Sequence, residues 1–206
     1  TVVLDAQPDN DVVLNIAIAG DEGILSGASL TFTSENWDTA QPVTVTGVND
    51  DLIDGDQDSV VTIYVDTVNS DINFASLIAE TLTLTTTDDD VAGFTVVESG
   101  GSTGVSEGGS TDTFTVVLDA QPDSNVEFTL YSNDHGEVIF QFTGTESHSL
   151  VFTPQNWDTP QTVTVTGVDD NLIDGTQSTT IDIAIHGSAS DDNFDDLSPD
   201  DVTVTI

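Results

Sequence analysis

The sequence predicts an all-β protein built from two tandem immunoglobulin-like antiparallel β-sandwiches joined by a short acidic linker. Three observations predict this: runs that alternate apolar and hydroxyl side chains, the absence of helical periodicity, and a long internal repeat. Gly, Asp, Asn, Ser and Pro separate the runs at the spacing typical of a sandwich. A length of 206 residues allows one or two domains, and the repeat favours two.

The repeat is visible as near-identical segments. Residues 1–9 recur as 115–123 at an offset of 114, and residues 32–39 match 152–159 at an offset of 120. The second copy therefore carries six additional residues, which fall between Tyr131 and Ser149. Such identity between copies indicates tandem duplication of one module.

The copies predict one domain over residues 1–90 and another over residues 91–206. Both Thr1 and Ile206 lie in strand-like runs, so we expect the chain to be part of a longer array. On this reading the first domain lacks its opening strand, which would correspond to residues 94–112. The second domain lacks its own copy of the linker's Asp triplet.

Within the second copy, the pattern predicts eight strands. They are placed near residues 93–98, 111–119, 125–131, 137–143, 148–153, 161–168, 178–186 and 201–206. Short turns are expected at residues 71–77 and 191–197, where Phe74 and Phe194 would cap the core.

Charge is the strongest compositional signal. The chain has 38 Asp and Glu, no Lys and no Arg, and a formal net charge of −38. Because two neighbouring carboxylates repel by about 1 kcal/mol even in bulk water, the compact state needs metal ions or salt from outside. The same balance makes nucleic acid and anionic membranes poor partners, and no stretch is long enough for membrane insertion. Without cysteine there are no disulfides and no thiolate zinc site.

An acidic turn follows a strand in both copies. Residues 43–55 and 163–175 each read Val-Thr-Val-Thr-Gly-Val and then enter a turn loaded with carboxylates. Several oxygens held close together suit a hard cation such as Ca²⁺. The Leu52-Ile53 and Leu172-Ile173 pairs are expected to hold each turn on the apolar core. The alternative is that these turns are only solvated hairpin ends.

Four motifs together resemble the Calx-beta family of immunoglobulin-like calcium-binding modules. They are Val105-Ser-Glu-Gly108, Phe114-Thr-Val116, the acidic turn and Thr87-Asp-Asp-Asp90. The resemblance covers essentially the whole chain, in two copies. It implies a calcium cluster at one end of each sandwich, near the junction with the next domain.

The resemblance implies ligands from the Ser-Glu-Gly acid, the acidic turn and the linker. Their positions are Glu107; Asp169, Asp170, Asp174 and the carbonyl of Leu172 in the second turn; Asn49, Asp50 and Asp54 in the first turn; and Asp88, Asp89 and Asp90 in the linker. A further acid is expected from the loop after the second long strand, at Asp134 or Asp21. Because Gln57 and Gln177 replace the acid that often ends the family's turn, and Asn49 replaces an Asp, we expect fewer ions or weaker binding.

Other chemistry finds little support in the sequence. An EF-hand loop fails because Leu52 stands where an acid is required. The histidines at positions 135, 148 and 186 have no counterparts in the first copy and are interpreted as loop or strand residues. Trp37 and Trp157 precede the acidic-turn strand and are interpreted as plugs over a sandwich end. No enzymatic activity is predicted.

The sequence therefore favours a calcium-rigidified spacer repeat of an extracellular or cell-surface adhesin or filament. Its expected partners are calcium ions and neighbouring repeats of the same protein, with strand addition at the open edge of the first copy as a further contact. The alternatives are a regulatory calcium-sensor module and a module that binds carbohydrate or protein through the six-residue expansion.

Overall fold

The chain forms two compact units. The computed structural model describes residues 1–141, 147–173 and 175–206. The first unit comprises residues 1–50 and 54–88, and the second comprises residues 51–53 and 89–206.

Strands dominate both units, and the described residues contain no α-helix. Short 3₁₀ turns occur at Ile72–Phe74, Ser99–Gly101 and Gly187–Ala189. The predicted all-β class with antiparallel sheets is confirmed. The described part of the chain holds no helix with the length and apolarity that crossing a bilayer requires.

The first unit contains six strands. They are β1 (Val12–Ala19), β2 (Gly23–Leu25), β3 (Ser29–Phe32), β4 (Val45–Gly47), β5 (Gln57–Val65) and β6 (Glu80–Thr86). One antiparallel sheet has the order β3-β1-β5-β6, and β2 pairs with β4 in a second, two-stranded sheet. Residues 2–4 add an isolated antiparallel bridge between Val2 and Gln41.

A small core closes the first unit. Alternate residues of β1 point inward, so Val12 and Leu14 are buried beside Phe32. Trp37 and Phe74 are half-buried and pack against this cluster, as expected for residues that cover the end of a sandwich.

The described residues of the second unit form nine strands. They are β7 (Phe94–Glu98), β8 (Thr103–Gly104), β9 (Thr111–Leu118), β10 (Val126–Ser132), β11 (Val138–Phe140), β12 (Ser147–Phe152), β13 (Gln161–Gly167), β14 (Ser178–Ile185) and β15 (Asp200–Thr205). One sheet has the order β12-β10-β14-β15-β8 and the other β11-β13-β9-β7. All eight predicted strands are confirmed, whereas the two-residue β8, which pairs in parallel with β15, was not predicted.

The second core lies between these two sheets and is rich in aromatic rings. Phe128 contacts Phe94 edge-to-face at 5.0 Å between ring centroids, and contacts Phe152 in the same way at 5.8 Å. Phe194 is fully buried and Trp157 half-buried against the same cluster. Edge-to-face pairs add about 0.5–1.5 kcal/mol each beyond the area that they bury.

The two Leu-Ile pairs, both predicted to hold their turns on an apolar core, differ in burial. Leu172 is 67 % exposed and Ile173 is fully exposed. Leu52 and Ile53 are half-buried, but they belong to the second unit, where Ile53 packs against the core and Leu52 bridges Gln121. The prediction that each pair holds its turn on an apolar core is therefore wrong for Leu172 and Ile173 and agrees with the packing of Ile53.

Two buried aspartates fix loops in equivalent places. Asp71 accepts hydrogen bonds from the N–H groups of Asp9, Asn10 and Asn73 at 2.8–2.9 Å, and these bonds lower its pKa, that from Asn73 most. Asp191 accepts from the N–H groups of Ser124 and Asn193 at 2.8 and 3.0 Å. Both carboxylates therefore serve as acceptors of backbone hydrogen bonds that hold loops in place.

Candidate metal centre

The acidic turn of the first unit is tied to the residue that follows β6. The Gly55 N–H donates to Asp88 Oδ2 at 2.8 Å, and the Asp88 N–H donates to Asp56 Oδ1 at 3.2 Å. Gly55 adopts a left-handed φ of 72°, which a residue without Cβ tolerates best. The structure therefore brings Asp88 to the turn, as a shared ligand set would require.

Amide side chains brace this turn by bonding its carbonyls. Asn49 donates from Nδ2 to the Asp50 carbonyl at 3.1 Å, and Gln57 donates from Nε2 to the Asp54 carbonyl at 2.8 Å. Both residues had stood out as departures from the family pattern. Here each holds the backbone of a predicted ligand instead of adding a carboxylate.

Glu22 is the acid that the sequence missed in this unit. Burial first, and then the negative charges of Asp50, Asp54 and Asp21, raise the pKa of its half-buried carboxyl group. Its carbonyl accepts from the Val48 N–H at 3.1 Å and from Thr86 Oγ1 at 2.9 Å, which fixes its backbone between the start of the turn and β6. Glu22 therefore lies closer to the interior of the acidic cluster than the exposed Asp21.

In the second unit, the Ser-Glu-Gly loop lies over its acidic turn. Ser106 to Gly108, with Glu107 half-buried, and the segments Leu172–Ile173 and Gly175–Thr176 line one open cavity of about 510 Å³, together with Ile206. The Ser106 N–H donates to Ser110 Oγ at 2.7 Å, which closes the loop on itself. The structure thus brings Glu107 to the turn.

Gly167 allows that approach. A Cβ atom at Gly167 would lie 2.2 Å from the Ser106 carbonyl oxygen, which is backbone and has little freedom to move. The Gly167 N–H donates to the Ser110 carbonyl at 3.1 Å. The Gly of the Val-Thr-Gly-Val motif is required here because another backbone crosses it.

The remaining turn residues of the second unit are only partly described. Asp170 Oδ1 accepts from the Leu172 N–H at 2.7 Å, which turns the chain toward Leu172. Asp169 is exposed. Asp174, a predicted ligand, lies outside the described residues.

Asp134 lies in the loop between β10 and β11 but serves that loop's own turn. Its Oδ1 accepts from the Gly136 N–H at 3.0 Å, and its carbonyl accepts from the Val138 N–H at 3.0 Å. Glu137, three residues on, occupies the place of Glu22: the Val168 N–H donates to its carbonyl at 2.8 Å, as Val48 does to that of Glu22. Its Oε2 atom is shielded from solvent.

The linker triplet divides between the units. Asp88 belongs to the first, while Asp89, which is exposed, and Asp90, which is half-buried, belong to the second. In the first unit the structure brings Asp88 to the turn that holds Asn49, Asp50 and Asp54. In the second unit it brings Glu107 to the turn. Asp134 is engaged within its own loop, and Asp89 and Asp90 lie in the linker.

The donor type suits a hard cation, since carboxylate, amide and carbonyl oxygens are the ligands of Ca²⁺. Across residues 1–141, 147–173 and 175–206, no group of three or more His, Asp or Glu side chains has an arrangement that could hold a metal ion. Of the histidines, His148 stacks on Phe140 at 5.6 Å between ring centroids, and burial lowers its pKa.

Comparison with known proteins gives likenesses of structure only. No family model matches the chain, and no curated protein matches it. The apo-form Calx CBD1 domain is similar at a TM-score of 0.34 and 13 % identity, over 55 % of this chain and 95 % of that one. CBD12 from CALX1.2 gives 0.37 and 13 %, over 88 % and 71 %. Domains 1–6 of the surface layer protein SbsC give 0.37 and 17 % over 93 % of this chain, which spans 19 % of that one.

Proposed function

We propose that the two units are calcium-stabilised spacer modules of a secreted or surface-anchored protein. The observation that carries this is the acidic turn of the first unit, to which Gly55 and Asp56 tie Asp88; burial and the charges of Asp50, Asp54 and Asp21 raise the pKa of Glu22 in the same cluster. In a chain without Lys or Arg, no side chain offsets that repulsion at neutral pH. A divalent cation bound among these carboxylate oxygens would offset the repulsion.

Each unit would bind calcium through its own acidic turn. In the first, the ligands would come from Glu22, the turn and the residue tied to it. They are Glu22, Asp50, Asp54 and Asp88, with Asn49 as a further oxygen donor.

In the second unit, the ligands would come from the Ser-Glu-Gly loop and the turn. They are Glu107, Asp169, Asp170, the Leu172 carbonyl and, from the sequence, Asp174. Asp134, Asp89 and Asp90 are further candidate ligands, and Glu137 is the second unit's counterpart of Glu22. Since no three of the described acidic side chains are arranged to hold a metal ion, the loops of both units would draw together on binding.

Bound calcium would supply charge neutralisation and would link segments distant in sequence. A ligand present at 100 times its dissociation constant stabilises the folded state by about 2.7 kcal/mol per site, which is large against the total stability of a small domain. The spacer role follows from near-identical tandem copies. The partners would be calcium ions and neighbouring repeats.

Thermal unfolding with calcium, magnesium or chelator tests the proposal. Each unit holds one tryptophan, so Trp157→Phe leaves Trp37 as the reporter of the first unit, and Trp37→Phe does the converse for the second. We expect calcium to raise both midpoints and magnesium to do so less, since Mg²⁺ demands stricter octahedral geometry.

Matched variants separate a site from general charge screening. Asp54→Asn should remove the calcium response of the first unit, whereas Asp38→Asn, which deletes one exposed charge elsewhere in that unit, should leave it intact. Equal responses of the two variants, or equal midpoints in calcium and chelator, would refute the proposal. Scattering lengths that are identical in both conditions would refute the spacer role alone.

A further inference from the structure

An apolar groove opens in the first unit beside residues 2–6. It has a volume of about 390 Å³, and its walls include Leu14, Ile63, Phe74 and Leu77. Leu77 is 55 % exposed and Phe74 half-buried. A cavity of about 150 Å³ is enough for a benzene ring, so this groove has room for a large side chain and its neighbours.

The second unit shows what fills the same place. By the repeat, Leu4 corresponds to Leu118 and Leu14 to Phe128. There, β7 runs antiparallel to β9 with Phe94 opposite Leu118, and the Phe94 ring contacts Phe128 edge-to-face at 5.0 Å. A strand that carries a phenylalanine therefore covers the equivalent groove.

Burial at equivalent positions differs as this covering predicts. Ala120 and Ile183 are completely buried in the second unit. Their counterparts in the first unit differ: Ala6 is exposed and Ile63 is half-buried. Since the residue types are identical, the difference in burial comes from their surroundings, which in the second unit include β7.

The backbone beside the groove offers an edge for pairing. The Val2 and Leu4 N–H groups donate to the carbonyls of Gln41 and Trp37 at 2.9 and 3.1 Å. In an antiparallel strand the intervening residues face the opposite side. Within the described residues, the N–H groups of Val3 and Asp5 donate to no backbone carbonyl.

The second unit also shows which groups that edge would bind. The Asp119 N–H donates to the Gly93 carbonyl at 2.9 Å, and Thr95 Oγ1 donates to Asp119 Oδ1 at 2.8 Å. Asp5 is the counterpart of Asp119 and lines the groove. It offers the same N–H donor and the same carboxylate acceptor.

We propose that this groove is a binding site for an extended polypeptide strand with the pattern Gly-Phe-Thr-Val, as in residues 93–96 of the second unit. The strand lies antiparallel to residues 1–5, with its phenylalanine opposite Leu4 and against Leu14. Its valine lies opposite Val2. Its glycine carbonyl accepts a hydrogen bond from the Asp5 N–H, and its threonine hydroxyl donates one to the Asp5 carboxylate. The strand is therefore recognised through backbone bonds, through a side-chain bond and through the apolar groove.

A peptide with the sequence of residues 92–99, capped at both ends, is the probe. Titrated into the ¹⁵N-labelled 206-residue chain in chelator, it should shift resonances of residues 1–6, 63–65 and 74–78 saturably and should raise the unfolding midpoint reported by Trp37. A peptide with serine in place of phenylalanine should bind on the order of tenfold or more weakly, since a buried Phe contributes about 1.5–3 kcal/mol.

Chain variants locate the site. Asp5→Ala, at an exposed position, should weaken peptide binding several-fold, and Asp119→Ala should leave it unchanged; circular dichroism establishes that both are folded. Absence of binding, equal binding of the two peptides, or shifts centred on the second unit would overturn the proposal. Self-association of the chain that the peptide does not reverse would also overturn it, because the occupant would then be a second copy.

Discussion

The two units share closely matching segments of sequence, yet only one of them builds a large core. Eighteen buried apolar side chains among the described residues form one cluster in the second unit, against five in the first. Identical residues such as Ile63 and Ile183 take different burial. Burial is therefore a property of the assembled sheets, and the repeat alone does not determine it.

The acidic turns of the two units also differ in the residues that surround them. In the first, Asp88 is bonded to the turn and Glu22 lies among other carboxylates. In the second, a loop carrying Glu107 lies beside the turn and shares an open cavity with it, and Gly167 allows the loop's backbone to approach. The same turn sequence thus has different neighbouring residues in the two units. We therefore expect the calcium affinities proposed for the two units to differ.

The largest effect is expected from truncating one core side chain at equivalent positions of the two units. Phe128→Ala should lower the free energy of unfolding of the second unit by about 3–5 kcal/mol, because it removes a ring that contacts two others. Leu14→Ala should cost about 2 kcal/mol in the first unit, the low end for such changes, because Leu14 already borders an open groove.

Denaturant unfolding followed by the tryptophan of each unit measures both costs. Tyr131 lies on β10, three residues after Phe128, and is 42 % exposed. Tyr131→Ala therefore serves as a control for general effects of substitution in this strand. Equal costs for Phe128→Ala and Leu14→Ala would contradict the view that the second core is the better packed.

A second test compares the two glycines of the Val-Thr-Gly-Val motif. Gly167→Ala should destabilise the second unit by about 1–3 kcal/mol, since its Cβ would meet backbone at 2.2 Å. Gly47→Ala should change the first unit by less than about 0.5 kcal/mol, because its Cβ would meet only the Thr86 side chain, at 3.2 Å.

The same measurement has a local readout. Amide hydrogen exchange in residues 105–110 should accelerate in Gly167→Ala, because displacement of the Ser106 carbonyl breaks the loop's closure. Unchanged exchange there, with intact stability, would mean that the loop does not depend on the close approach.

The fold could be predicted because its signals are local. Alternation of apolar and hydroxyl residues defines strands such as β9 and β13 within a residue or two, and glycine- or aspartate-rich turns separate them. β8 escaped prediction because two residues carry no periodicity and its parallel partner, β15, lies about a hundred positions away. A short parallel contact of this kind depends on tertiary structure.

The site was less predictable because sequence patterns do not show which of several adjacent acids turns inward. Glu22 and Glu137 each stand near an aspartate that matched the family pattern better, and the loops before them differ in length between copies. The prediction for the second Leu-Ile pair failed for a related reason, since Leu172 and Ile173 remain exposed although the same two residue types are half-buried in the first turn. A glutamate directly before a short apolar run, as in Glu22-Gly-Ile-Leu and Glu137-Val-Ile-Phe, is the signal that could have identified both glutamates.

The smallest expected effect concerns the charge at Glu22. Glu22→Gln should raise the unfolding midpoint of the first unit at pH 7 in chelator, because it removes a carboxylate that burial and three acidic neighbours disfavour. The bonds from Val48 and Thr86 go to the Glu22 carbonyl and are retained. Glu35→Gln, at an exposed position in the same unit, is the matched loss of one charge.

The pH dependence of that gain has a defined sign. A carboxyl group whose pKa is raised on folding favours the folded state when protonated, so its contribution is fully favourable below the unfolded pKa and is lost as pH rises through the folded value. The advantage of Glu22→Gln should therefore shrink as pH falls from 7 toward 4. Asp71, whose pKa is lowered, acts in the opposite direction in both proteins and cancels in the difference. An advantage that stays constant with pH, or that Glu35→Gln reproduces, would show that Glu22 is only one more surface charge. Glu22 would then not differ from the other acidic residues around the first turn.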